Sequence, residues 1–201
     1  MKVIGLCGGS GSGKGAVCDL FRQRRIFCID TDLVYRDLTS KPGPLLQKLE
    51  SEFGKEIISD ENTLNRKALA KIVFSSENSD EKLRKLNEIS HKYILDETRR
   101  MLRQQSEEGA QLSVVDAPVL FESGFDKECD IIISVIADKE IRISRIIGRD
   151  SISVDAAEER IASQMSDEEL TRRSDYVIDN NGSLEELKAT VFALIDELTK
   201  K

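Results

Sequence analysis

The chain has 201 residues, 39% of them hydrophobic and 33% charged, with no Trp and three Pro; this balance closes one α/β core and disfavours a loop-rich, all-β design. Its net charge of −7 excludes a molecule-wide field for gathering nucleic acid, so a site for an anionic ligand has to concentrate positive charge locally. No apolar run approaches the roughly 18 residues of a membrane span, and Met1-Lys2 leads into a short apolar run without a signal-peptide pattern, so a cytoplasmic protein with no membrane partner is expected.

Residues 3–7 read as a first strand that ends in the cluster Gly8-Gly9-Ser10-Gly11-Ser12-Gly13. After Lys14, the spacing of Ala16, Val17, Leu20 and Phe21 predicts a helix with one apolar face. Residues 26–29 form a second strand that stops at Asp30-Thr31-Asp32. From 33 to about 108 the pattern is helical throughout, with apolar stripes at Leu45, Leu46, Leu49 and Phe53, then at Ala68, Leu69, Ile72 and Val73, then at Leu83, Leu86, Ile89 and Tyr93. Residues 112–116 and 131–136 are the third and fourth strands. The charged stretch 140–173 reads as helical and partly exposed, and 176–179 as the fifth strand. Asn180-Asn181-Gly182 turns the chain, and Ser183 with Glu186 has the form of a capping box for a last helix.

Strands that alternate with helices imply right-handed crossovers and a parallel sheet covered on both faces. The block between strands two and three is too long for a simple crossover. It is expected as an inserted helical subdomain standing over the strand ends. Cys7, Cys18, Cys28 and Cys129 are scattered with no CxxC spacing, and read as reduced and mostly buried.

The strand, glycine turn and helix have the order of a phosphate-binding unit. Gly9, Ser10, Gly11, Ser12, Gly13, Lys14, Gly15 and Ala16 are the candidate nucleotide contacts. Backbone amides meet phosphate oxygens there, and a Cβ at the glycines would block the approach. The helix N-terminus and the Lys14 ammonium add positive charge. The residue after such a lysine is usually Ser or Thr, whose hydroxyl ligates Mg²⁺; here Gly15 and Ala16 follow. Mg²⁺ is therefore expected to be held by water, ATP oxygens and carboxylates such as Asp32 or Asp116.

Asp30 and Asp32 lie at the end of strand two, where open α/β sheets place their ligands. As i and i+2 of an extended segment they would point to one side, and a carboxylate there can accept the proton of an attacking hydroxyl. Asp116, ending the third strand, has the form of a Walker-B carboxylate. Arg145, Arg149, Arg172 and Arg173, with Arg36, are the candidate sources of local positive field, although a solvated helix face explains any single one of them as well. His91, the only histidine, leaves little room for His-based chemistry.

The residues from Ile4 to Lys14, the pair Asp30 and Asp32 with Arg36, and Asp116-Ala117-Pro118-Val119-Leu120-Phe121-Glu122-Ser123-Gly124 together resemble the dephospho-CoA kinase family. So do Arg149-Asp150, Gln164 and the closing Ile178-Asp179-Asn180-Asn181-Gly182-Ser183. The resemblance spans nearly the whole chain. It implies a three-layer α/β phosphate-loop fold with a five-stranded parallel sheet, a helical substrate-binding insertion and a lid. The core would comprise 1–32, 110–145 and 174–201, the insertion 33–109 and the lid 146–173.

The reaction implied is ATP-dependent phosphorylation of the ribose 3′-hydroxyl of dephospho-CoA, with Mg²⁺ as cofactor and no obligate protein partner. Asp32 becomes the general base, Lys14 the phosphate clamp, and Arg145 and Arg149 lid-side phosphate ligands. Asp32, Arg36, His91, Asp116, Pro118 and Leu120 become substrate contacts. The family often has His-Pro in the insertion, whereas Lys92 follows His91 here. Nucleoside monophosphate kinases share this architecture, and a nucleotide sensor without turnover is the reading outside catalysis.

Overall fold

The computed structural model describes residues 1–74 and 78–200. Alternation of side chains along strand β1 (Lys2–Cys7) sets its layers. Ile4 and Leu6 enter a buried cluster, while Gly5 turns to the opposite face, where an added Cβ would lie 2.8 Å from Cys129 Sγ and 2.9 Å from Leu120. Strands β2 (Phe27–Asp30), β3 (Leu112–Asp116), β4 (Ile131–Ile136) and β5 (Tyr176–Asp179) complete a five-stranded parallel sheet of order β2-β3-β1-β4-β5. β1 lies at its centre, with Leu6 opposite Asp116 on one side and Ile133 on the other.

Helices cover both faces of the sheet. On one face, Val17, Leu20 and Phe21 of α1 (Lys14–Gln23) pack with Leu187, Val191 and Leu194 of the last helix (Leu184–Thr199) against Ile4, Val114 and Ile133. That last helix starts as its sequence indicates. Ser183 N–H donates to Glu186 Oε2 at 2.7 Å, and Ser183 Oγ accepts from Glu186 N–H at 3.3 Å.

Two compact units are present, one of Met1–Ile29 with Leu102–Lys201 and one of Asp30–Met101. The second is helical, with α2 (Thr31–Thr39), α3 (Pro44–Phe53), α4 (Arg66–Phe74) and α5 (Ser79–Glu107). Leu45, Leu49, Phe53, Ile57, Leu69 and Val73 form its own core. The helical pattern expected throughout 33–108 is interrupted between α3 and α4. Gly54 takes φ 96° and Asn62 φ 55°, and Ile58 and Leu64 form an antiparallel bridge between them. These left-handed residues end the helical ladder where apolar spacing alone would continue it.

The second strand begins at Phe27 rather than Ile26, because the Ile26 amide donates to Phe21 O at 3.1 Å and closes the end of α1. The stretch 140–173 is three helices, α6 (Lys139–Asp150), α7 (Val154–Ala162) and α8 (Asp167–Arg173). Ser151 at φ 54° separates the first two, and the Ser153 and Ser166 hydroxyls cap the next two. The final helix is α9. Among the described residues, no helix is long and apolar enough to cross a membrane.

Replacing Phe21, which is fully buried, by Ala is expected to cost about 3–5 kcal/mol of stability. Ser183→Ala is expected to cost about 1 kcal/mol. Urea unfolding of the two variants checks this order, and a larger loss for Ser183→Ala would refute it.

Candidate active site

The phosphate loop joins the end of β1 to the start of α1, and its shape is fixed from behind. Gly11 and Gly13 have φ of 78° and 99°. The carbonyls of Ser10, Gly11 and Ser12 are each held by a side chain. Arg142 Nε donates to Ser10 O at 2.9 Å, Arg145 Nη1 to Gly11 O at 3.2 Å, and Asn180 Nδ2 to Ser12 O at 2.7 Å. In a planar trans peptide the following N–H points away from the carbonyl, so the amides of Gly11 and Gly13 face the other side of the loop. Gly13 is the N-cap of α1, and no side chain caps that terminus. The first-turn amides and the helix dipole are thus available to an anion. A Cβ on Gly13 would lie 2.1 Å from Asn180 Nδ2, and one on Gly11 2.6 Å from Arg142 O. A side chain at either glycine would strike the residues that back the loop.

Lys14 opens α1 and pairs with Asp116, Nζ to Oδ1 3.1 Å, with both side chains largely buried. Asp116 ends β3 directly beside β1, which explains the pairing. Its Oδ2 accepts from Cys18 Sγ at 3.6 Å. The contact with Cys28, burial and the nearby Asp116 all push the Cys18 thiol upward, so it stays a neutral donor. Burial likewise raises Cys7, behind the loop, to about 11. No thiolate there competes for the Lys14 charge. All the cysteines are free; Cys7 and Cys18 are buried, Cys28 and Cys129 half-buried.

The other residues singled out in the sequence fall into distinct settings. Gly15 and Ala16 are in the first turn of α1, and a Cβ on Gly15 would meet nothing within 4 Å. Pro118 shares with Gly8, Gly9, Glu122 and Gln164 the wall of a cavity of about 140 Å³. Arg145 also donates through Nη2 to Asn180 O at 3.0 Å, so its guanidinium lies on backbone carbonyls. Arg149 is exposed and paired with Asp150 at 2.7 and 2.8 Å; Arg160 binds the same carboxylate, and together they hold Asp150 well below the usual carboxylate range. Arg172 and Arg173 both bind Glu169, and Arg173 lies over the Phe121 ring at 5.1 Å.

Leu120 requires a correction. It is fully buried and packs on the Gly5 face of β1, so it shapes the core and presents no surface to a substrate.

Asp32, Arg36 and His91 belong to the helical unit. The segment through Asp30 and Asp32 is not extended. Asp30 is the N-cap of α2, its Oδ1 accepting from Asp32 N–H at 2.9 Å and Leu33 N–H at 3.0 Å. An aspartate here satisfies two helix amides, and that bond turns the chain before Asp32. Asp32 and Arg36 are exposed and one helical turn apart, and His91 is half-buried in α5.

Sequence reading missed Arg142 and Asn180. Arg142 is 4% exposed and Asn180 6%. The signal was present in the spacing of Arg142, Arg145 and Arg149, which places all three along one side of α6. Asn180 read as a turn residue because its neighbours Asn181 and Gly182 are turn formers.

Among the described residues, no group of three or more His, Cys, Asp and Glu is arranged to enclose a metal. The donors at hand are hard carboxylate oxygens, which suit an ion that arrives on nucleotide phosphates and keeps several waters.

A family model described as dephospho-CoA kinase matches residues 2–186. A dephospho-CoA kinase of Corynebacterium glutamicum is 37% identical over 201 residues, covering 100% of this chain and 99% of that protein. A solved structure from Thermus thermophilus superposes with a TM-score of 0.79 at 30% identity, covering 99% and 98% of the two chains. The dephospho-CoA kinase of Campylobacter jejuni superposes with a TM-score of 0.74 at 25% identity and the same coverage.

Gly13→Ala is expected to weaken ATP binding about tenfold, the equivalent of one to two kcal/mol of left-handed strain, before its clash with Asn180 is counted. Gly15→Ala should change it by less than about twofold, since the added methyl meets open space. Calorimetric titration with ATP distinguishes the two sites, and equal losses would refute the account of the cradle.

Proposed function

This chain belongs to the dephospho-CoA kinase family, and on that premise we propose how its own residues move the terminal phosphoryl group of ATP to the ribose 3′-hydroxyl of dephospho-CoA. The observation that carries the reading is Lys14, placed at the head of α1 and held by Asp116 beside a loop whose amides face away from its anchored carbonyls. ATP phosphates take the amides, and Lys14 turns from Asp116 onto the β- and γ-phosphates. In transfer, the 3′-oxygen forms the new P–O bond as the bond from the γ-phosphorus to the bridging oxygen breaks. The hydroxyl proton goes to Asp32, and ADP leaves with the lysine still neutralising its charge.

Asp30 contributes by fixing the first turn of α2, from which Asp32 projects as an exposed carboxylate. Arg36 follows one turn later, a suitable partner for the acceptor's phosphates. The helical unit, Asp30–Met101, is the substrate-binding part of this scheme, with His91 on α5 among its contacts. Residues 146–173 serve as the lid, and Arg149 reaches phosphate by exchanging Asp150 for it. Pro118 is assigned to the acceptor side.

Mg²⁺, when bound, would neutralise part of the phosphate charge. Asp116 and Asp32 are the carboxylates that would hold its waters. Lys14 and Cys18 already occupy the two Asp116 oxygens, which favours contact through water over direct ligation. The reaction needs only small-molecule partners, and we place it in the cytoplasm, where ATP is at hand.

A coupled assay with ATP, Mg²⁺ and dephospho-CoA tests the reading. Turnover of AMP or UMP but not dephospho-CoA, or ATP binding with no turnover of any acceptor, would overturn it. Lys14→Ala is expected to lower kcat about 10²–10³-fold. Asp32→Asn should keep ATP affinity while lowering kcat about 10²–10⁴-fold, and near-normal turnover would remove Asp32 from the base role.

A further inference from the structure

We propose that Arg142 is a positioning residue of the phosphate loop, gripping Ser10 jointly with Gln164 and locked by Asp167, and so setting nucleotide affinity. An arginine side chain with 5% exposure is costly unless its donors are satisfied. Here they are shared out with a clear pattern. Nε donates to Ser10 O at 2.9 Å, Nη1 to Asp167 Oδ1 at 3.1 Å, and Nη2 to Gln164 Oε1 at 3.3 Å. Gln164 closes the grip from the other side. Its Oε1 accepts from Ser10 N–H at 2.8 Å, and its Nε2 donates to Ser10 Oγ at 3.3 Å. Ser10 is thus held by its amide, its carbonyl and its hydroxyl at once.

The fit leaves no freedom around this grip. A Cβ on Gly9 would come within 2.1 Å of Arg142 Nη2, so the guanidinium lies close against Gly9 where a side chain would otherwise stand. The Arg142 carbonyl abuts Gly11 in the same way, 2.6 Å from where a Cβ would stand. Both close approaches fix the peptide whose carbonyl accepts from Arg142, and with it the direction of the Gly11 amide on the far side. Arg142 does not face the phosphates itself; it acts through that peptide.

The three partners come from separate parts of the chain. Ser10 is in the loop, Gln164 lies between α7 and α8, and Asp167 is the first residue of α8. Asp167 accepts from Arg142 while partly buried, so the pair is screened less than a surface pair would be. Removing Arg142 therefore releases Ser10 and leaves Asp167 half-buried without its cation. The effect should fall on the donor nucleotide and spare the acceptor.

This inference rests on the loop being the ATP site, and the test separates the two. Wild-type protein, Arg142→Ala, Gln164→Ala and the double variant are titrated with ATP by calorimetry, then assayed with ATP and dephospho-CoA varied in turn. Arg142→Ala is expected to raise the ATP Kd and KM about tenfold, as loss of a hydrogen-bonded charged group does. The dephospho-CoA KM should stay within about twofold. The double variant should lose less than the product of the single losses, because both side chains act through Ser10. Gln164→Ala, which keeps the Arg142–Asp167 pair, carries the test if Arg142→Ala does not fold. Equal shifts of both KM values, unchanged ATP affinity in a folded variant, or independent losses would overturn the proposal. Failure of the wild-type protein itself to bind ATP would instead overturn the functional reading.

Discussion

A loop that turns its amides toward a phosphate turns its carbonyls the other way, into the protein, and those carbonyls have to be satisfied there. The structure answers that constraint with three side chains from the C-terminal half of the chain. Arg142, Arg145 and Asn180 take the carbonyls of Ser10, Gly11 and Ser12. Two of them extend from α6 and the third follows β5, so the placement of β4 beside β1, with β5 next to β4, is what brings them behind the loop. The cradle is accordingly a product of the whole sheet and not of the glycines alone.

The same economy appears at Lys14. A buried ammonium with no counter-charge would be costly, and Asp116, delivered by the neighbouring strand, provides one. The pairing holds the ammonium beside Asp116 at the head of α1. Cys18, one helical turn on, donates to the other carboxylate oxygen and fixes the carboxyl plane. A short network of neutral and charged donors therefore surrounds one aspartate.

Much of this was legible in the sequence, and the exceptions have physical reasons. The strands were visible because a parallel strand covered on both faces reads as a short continuous apolar run, and Ser183 with Glu186 announced the start of α9. The interruption after α3 was not visible, since it depends on left-handed backbone at Gly54 and Asn62 within a run whose apolar spacing is helical. In the site, glycines and Lys14 declare themselves by local spacing. Arg142 does so only weakly, because its spacing from Arg145 and Arg149 marks a shared helix face without showing that its end of the face lies under a loop. Leu120 was misread for the converse reason. It sits among motif residues, yet its side chain belongs to the core behind Gly5.

The order of strands also has a consequence for how the chain is made. β1, at the centre of the sheet, finds its neighbours only in β3 and β4, and Lys2 pairs with Leu112. Both of those strands follow the helical unit in sequence, so β1 has no strand partner until that unit has been made. That unit closes its own core from contacts nearer in sequence and needs no strand to do so. A unit with its own core standing between β1 and β3 shortens the free chain that joins them once it is formed, and so lowers the entropic cost of closing the sheet.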